Sequence, residues 1–212
     1  MDQSVVKRRS NQKSENEFLV DMHIHTNYSF DSNLMVEETL SELIDVVDAI
    51  VITDHNIIPD LLSVTLQSYE EKFQIRVFTS SVEISTRQGD ILAYGISAVP
   101  STNLTPEEII EIIHKDGGIA IAAHPFTMLG LGEEIYNLNL DAIEVNGSRS
   151  KRANDQAKEA AESMGLPCIG GSDSHTIHAI GSYATKFKLQ IKTLDDIIEQ
   201  IKKKNCLPIF LR

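Results

Sequence analysis

Six times along the chain, an apolar, β-rich run ends in residues able to bind a metal or move a proton. "EFLVDMHIH" ends in His23 and His25, "DAIVITDH" in Asp54 and His55, and "IRVFTSSVE" in Glu83. "GGIAIAAH" ends in His124, "DAIEVN" in Glu144 and Asn146, and "PCIGGSDSH" in Asp173 and His175. Amphipathic helical patterns lie between these runs. Residues 36–48 set Val36, Leu40, Leu43 and Val47 on one face. Residues 105–115 open with Thr105 as N-cap, Pro106 at the first helical position and acids in the first turn. Residues 150–164 are alanine-rich and stop at Gly165, before Pro167. Residues 193–204 form a last helix, opened by Thr193 and Asp195. "GDILAYGI", "SYATKFKLQI" and "CLPIFLR" read as additional strands.

Strands alternating with helices predict an α/β fold with a mostly parallel sheet. Polar residues at strand C-termini mark the mouth of such a sheet or barrel. An open sheet would gather them mainly at its switch point. At least six strand ends contribute here, which favours a closed or nearly closed barrel. With 212 residues the chain is short for eight full units, so a reduced or distorted barrel is expected.

The chemistry at those ends narrows the function. Five of the seven histidines sit at or just beyond predicted strand ends. Residues i and i+2 of a strand point to the same side, so His23 and His25 project together. Such a pair closes a metal site, forms an acid–base couple, or simply ends a strand in polar residues. Interleaved with Asp31, Asp54, Glu83 and Asp173, the five histidines would crowd one mouth with ionisable groups that need a compensating cation. Mixed imidazole and carboxylate ligands suit zinc, manganese or iron better than calcium or magnesium. His114 reads as a helix-end residue, and His178 as a loop residue beyond the last cluster.

Composition sets outer bounds. Hydrophobic residues make up 42% and charged residues 24%, as in a globular chain. No apolar run approaches the roughly 18–20 residues of a membrane span. The start, "MDQSVVKRRSNQKSENEF", has basic residues with no apolar segment behind them, which predicts no secretory signal. Residues 1–17 are expected to be a flexible lead to one domain, residues 18–212. Cys168 and Cys206 match no zinc or redox spacing and read as reduced thiols of a cytoplasmic protein. The net charge of −12 opposes long nucleic acids unless a local positive site, such as bound divalent ions, overrides it.

The segments "HIHTNYSFDS", "ITDHN", "VEIST", "GDILAYGI", "AAHPF", "IEVNG" and "GSDSH" occur in this order over residues 18–186. On these motifs the chain resembles the PHP family, named for polymerase and histidinol phosphatase domains. The resemblance implies a distorted (β/α)7 barrel holding two to three divalent metal ions at the C-terminal ends of its strands. It implies a first cluster of His23, His25, Glu83 and Asp173. Glu83 would bridge to a second, with His124 and Asp90, and Asp31, His55 and His175 would form a third. Relatives often carry histidine where this chain has Asp90. They also often place the acid directly after serine, whereas Phe30 here stands between Ser29 and Asp31. Asp54 is expected to orient a ligand imidazole.

The same resemblance implies a metal-dependent phosphoesterase acting through a metal-activated hydroxide. Its substrate would be a small phosphorylated metabolite, a nucleotide or a short oligonucleotide, with no membrane partner. His55, Glu83 and His175 are the expected catalytic residues, and Asn146 and Arg149 the expected substrate contacts. Residues 125–140, with Gly130 and Gly132, either close over substrate or merely connect. Two other classes stay open. One is an amidohydrolase-type C–N hydrolase, which commonly adds a metal-bridging lysine near a middle strand end that this sequence lacks. The other is a non-catalytic, metal-stabilised PHP module.

Overall fold

The computed structural model describes residues 17–147 and 149–212. The expected N-terminal lead, apart from Glu17, lies outside the described residues. In chain order the elements are β1 (Phe18–Ile24), α1 (Val36–Leu43), β2 (Ala49–Ile52), α2 (Ser63–Phe73), β3 (Arg76–Phe78), β4 (Ser81–Ser85) and β5 (Asp90–Tyr94). Then come α3 (Pro106–Lys115), β6 (Ile119–Ala122), β7 (Ala142–Asn146), α4 (Lys151–Met164), β8 (Cys168–Gly171), β9 (Tyr183–Phe187), α5 (Leu194–Lys202) and β10 (Cys206–Phe210).

The strands form two mixed sheets, ordered β10-β9-β1-β2-β3 and β4-β5-β6-β7-β8. β1, β2 and β3 are parallel, and β9 runs antiparallel to both β1 and β10. β6, β7 and β8 are parallel, and β5 runs antiparallel to both β4 and β6. The expected mostly parallel sheet is therefore corrected. The run "IRVFTSSVE" breaks after Phe78, and its second half leaves β2 to form a hairpin with β5. No continuous ladder joins the two sheets among the described residues. They meet in two isolated bridges, Ile24 with Ser174 and His55 with Glu83. The fold thus stands as α/β with two mixed sheets, and the expected closed barrel is not found among the described residues.

β1, β2, β6 and β7 are buried along their whole length. That burial explains their near-continuous apolar runs, since both faces of such strands meet core. Helices cover them through the stripes read in the sequence. Ile109, Ile110 and Ile113 of α3 pack on Ala120 and Ala122 of β6 within one apolar cluster. Each such side chain contributes about 1.5–3 kcal/mol on full burial. The start of α3 is as expected: Thr105 Oγ1 accepts from Glu108 N at 3.3 Å, and Glu108 Oε2 accepts from Thr105 N at 2.9 Å.

Two helices differ from expectation. α1 ends at Leu43 because Ile44 turns extended (ψ 130°) and Asp45 adopts a left-handed φ of 62°, which leaves Val47 to enter the core from a turn. α2 has no counterpart in the sequence reading. Of its eleven residues only Phe73 is buried, so no apolar stripe announces it.

Candidate metal centre

Alternation in β1 brings His23 and the following His25 to one side, and both rings are fully buried. Their Nε2 atoms are 2.9 Å apart. Glu83, buried in β4, places Oε2 3.1 Å from His23 Nε2 and 3.0 Å from His25 Nε2. Asp173 Oδ1 stands 3.5 and 3.4 Å from the same two nitrogens. The other Glu83 oxygen, Oε1, lies 3.1 Å from His124 Nε2. Asp90 joins them because β5 runs antiparallel. It is the first residue of its strand, yet it pairs with Ser85 at the last position of β4. The strand's beginning thereby reaches the face where its parallel neighbours end.

Asp31 resolves the question raised by Phe30. Its Oδ2 lies 3.5 Å from His55 Nε2 and 3.2 Å from His175 Nε2, so the longer loop still delivers the carboxylate. Three groups result: His23, His25, Glu83 and Asp173; Glu83, Asp90 and His124; and His25, Asp31, His55 and His175. In each, one donor atom per residue lies within 4.8 Å of the others. His25 stands in two groups, its ring stacked on that of His175 with centroids 4.0 Å apart.

Glu144 explains why these atoms are donors. The sequence places it at a strand end but gives it no task. Its Oε1 accepts from His23 Nδ1 at 2.8 Å, and its Oε2 accepts from His124 N at 2.9 Å. A proton held on Nδ1 makes Nε2, which faces His25, Glu83 and Asp173, the atom left to serve as a metal donor. The second bond secures the backbone of His124, which sits at a strained φ of 28°. Gly171 permits this approach: a Cβ there would lie 2.4 Å from His23 Cβ and 2.9 Å from Glu144 Oε1.

Two expected roles are corrected. Asp54 holds Thr26, not an imidazole: its Oδ1 accepts from Thr26 N at 2.5 Å and its Oδ2 from Thr26 Oγ1 at 2.6 Å. Adjacent residues point to opposite sides of an extended chain, so Asp54 and His55 cannot share one target. His55 Nδ1 instead meets Ser85 Oγ at 3.1 Å. Asn146 is fully buried and donates from Nδ2 to Glu144 Oε2 at 3.1 Å, behind the centre rather than in its mouth. Arg149 does line the cleft, and its guanidinium lies 2.7 Å from Asp173 Oδ2.

The cleft encloses about 340 Å³ and is lined by residues of all three groups together with Arg149, Leu129 and Thr176. Loop 125–131 is tied down beside it. Leu129 O accepts from Asp90 N at 2.9 Å, and a Cβ on Gly130 would lie 2.2 Å from Pro125 O. Gly130 therefore serves close packing, and the segment continues into a 3₁₀ turn over Gly132–Asn137.

The electrostatics are those of a site built around positive charge. Burial alone would lower the pKa of His23 and His25. The surrounding carboxylates reverse this, raising His23 well above its usual value and His25 to about 9. Glu83 and Asp173 are held well below the usual carboxylate range by the same imidazoles, against the opposing effect of burial. Burial, with the charge of Glu83, lifts Asp90 to about 7. Imidazole lone pairs and carboxylate oxygens converge here in the donor set preferred by borderline divalent ions.

A family model described as PHP-associated matches residues 151–206. The chain is 34% identical over 138 residues to uncharacterized protein MJ1587 of Methanocaldococcus jannaschii, covering 59% of this chain and 79% of that one. The fold is similar to that of PsfC from Pseudomonas syringae PB-5123, with a TM-score of 0.71, 19% identity and 92% of each chain covered. It is equally similar to a two-domain protein of Bacteroides vulgatus containing a predicted PHP-like metal-dependent phosphoesterase. That match has a TM-score of 0.71 and 19% identity, and covers 92% of this chain and 65% of the other. No helix among the described residues is long and apolar enough to cross a membrane.

Proposed function

The chain belongs to the PHP family, and from that premise we propose that it is a metal-dependent phosphoesterase acting on a small phosphorylated substrate. One observation carries the reading. Glu83 divides its two oxygens between the His23/His25 pair and His124, at the floor of a cleft that also holds an arginine. The likeness to the Bacteroides protein supports the same reaction class. β1, β2 and β4 to β8, whose two sheets touch at the isolated bridges, are read as the distorted barrel of that family.

Divalent ions held by these side chains would lower the pKa of a bound water and supply hydroxide near neutral pH. The chain's own groups do the rest. Arg149 turns its guanidinium toward the cleft, where it can donate to phosphoryl oxygens. Its Nε is buried without a hydrogen-bond partner among the described residues. His55 and His175 are the rings nearest the opening, with side chains 9% and 27% exposed. Either can pass a proton to the leaving oxygen. A cation held by the third group would engage the same lone pairs, so proton transfer by these rings and a filled third group exclude each other.

The test is a screen of phosphorylated metabolites and nucleotides with protein loaded with manganese, zinc or iron. Hydrolysis that disappears in His25→Ala and Asp173→Ala is expected. Full activity in either variant would sink the proposed centre, and hydrolysis of a cyclic amide alone would favour the C–N hydrolase class. Among the described residues no lysine lines the cleft, which weighs against that class.

Metal binding should also release protons. At pH 7 His25, raised to about 9, holds a proton that metal must displace, and Asp90, raised to about 7, also binds protons in this range. Apparent affinity should therefore rise with pH from 6 to about 9. Calorimetric titration in two buffers of different ionisation enthalpy counts the protons. A count of zero at pH 7 would contradict this electrostatic picture.

A further inference from the structure

Phe30, the residue between Ser29 and Asp31, is 86% exposed. Its ring nevertheless has a fixed neighbour, with its centroid 5.6 Å from that of His55 and the planes 34° apart. His55 lines the cleft, so Phe30 stands at the lip with much of its ring open to water. Leu129, 56% exposed, also lines the cleft, and Met128 beside it is 98% exposed. Ile177, 44% exposed, follows the cleft residue Thr176. Singly, an exposed apolar side chain is ordinary. Here they sit on the three loops that carry Asp31, His124 and His175, with Phe30 against His55 and Leu129 in the lining of an acidic cleft.

The floor limits what can enter. Asp31, Glu83, Asp90 and Asp173 line it, and Arg149 is its one guanidinium among the described lining residues. One arginine matches one phosphoryl group. The chain's charge of −12 opposes a polyanion. What remains for the lip is an uncharged, apolar, flat group.

We infer that Phe30 forms a stacking subsite for the leaving group of a singly phosphorylated substrate, and that this leaving group carries an aromatic ring. The inference rests on the reading as a phosphoesterase. In that reaction the oxygen of water bonds to phosphorus, the ester P–O bond breaks, and a proton passes to the departing oxygen. The ring held by Phe30 leaves as the free alcohol. Aryl phosphates and nucleoside monophosphates share this chemistry.

The test measures equilibrium binding of adenosine 5′-monophosphate, phenyl phosphate and ribose 5-phosphate to the metal-loaded protein by calorimetry, with turnover followed separately. The two aromatic compounds should bind about tenfold tighter than ribose 5-phosphate, the range of a single base–aromatic stack. Phe30→Ala should collapse that difference, and Phe30→Trp should restore it. A gain for adenosine 5′-monophosphate alone would identify a nucleobase as the preferred ring, and a gain for both would identify any flat ring. Equal or absent binding of all three, or an unchanged preference in Phe30→Ala, overturns the subsite. If the aromatic preference appears while no phosphoester is hydrolysed, the subsite stands and the phosphoesterase reading fails.

Discussion

Glu83→Gln should lower phosphoester hydrolysis by roughly three orders of magnitude or more, because metal centres supply several kcal/mol of transition-state stabilisation. It should also leave the dialysed protein short of metal in two groups at once. Glutamine has nearly the same shape, but one oxygen becomes an NH₂ that donates instead of accepting. At either end that change removes an oxygen that could bind metal. Oε2 faces His23 and His25 at 3.1 and 3.0 Å, and Oε1 faces His124 at 3.1 Å. Burial leaves no solvent to receive the amide. Metal content by mass spectrometry and kcat from the same preparation check the prediction, while near-UV circular dichroism separates lost metal from lost fold. Wild-type metal content with activity within tenfold of wild type would remove Glu83 from the centre.

Gly171→Ala should produce a large loss of stability for a single added methyl group. The new Cβ would lie 2.4 Å from His23 Cβ and 2.8 Å from His23 N, and β1 is anchored on both sides and cannot retreat. Overpacking of this kind costs about 3 kcal/mol. For a chain of this size that lowers the melting temperature by roughly 6–12 °C. Gly165→Ala is the matched control. Its added Cβ meets nothing within 4 Å, and only its φ of 65° opposes alanine, at a cost of about 1 kcal/mol. Thermal unfolding of the two metal-free variants compares them directly. Equal melting temperatures would show that β1 and β8 can separate without penalty.

The sequence showed which residues meet more clearly than how the chain brings them together. His23, His25, Glu83, His124, Asp173 and His175 were legible because each closes an apolar run, and strand ends sharing a face converge. Asp90 was legible only through family resemblance, since nothing local reveals that β5 runs backwards. The break after Phe78 was hidden for the same reason: strand direction depends on partners far away in sequence. α2 left no signal because its faces are nearly alike. Glu144 showed its position but not its role, which depends on a ring 121 positions earlier. Asp54 was given the wrong partner because nearness in sequence was taken for nearness in space.

The order of the first sheet also governs how the protein is made. β1 lies between β2 and β9, and Phe18, Leu19 and Val20 pair with Phe187, Lys186 and Thr185. Contacts so distant in sequence carry a high loop-closure cost and slow folding. During synthesis β1 can pair with β2 early, but its other edge stays open until residues near 185 have left the ribosome. An unpaired apolar edge is the kind of surface that aggregates or recruits chaperones. The strand bearing His23 is thus the earliest made of the described strands and among the last to be enclosed, and the centre it serves cannot mature before residues near 185 have emerged.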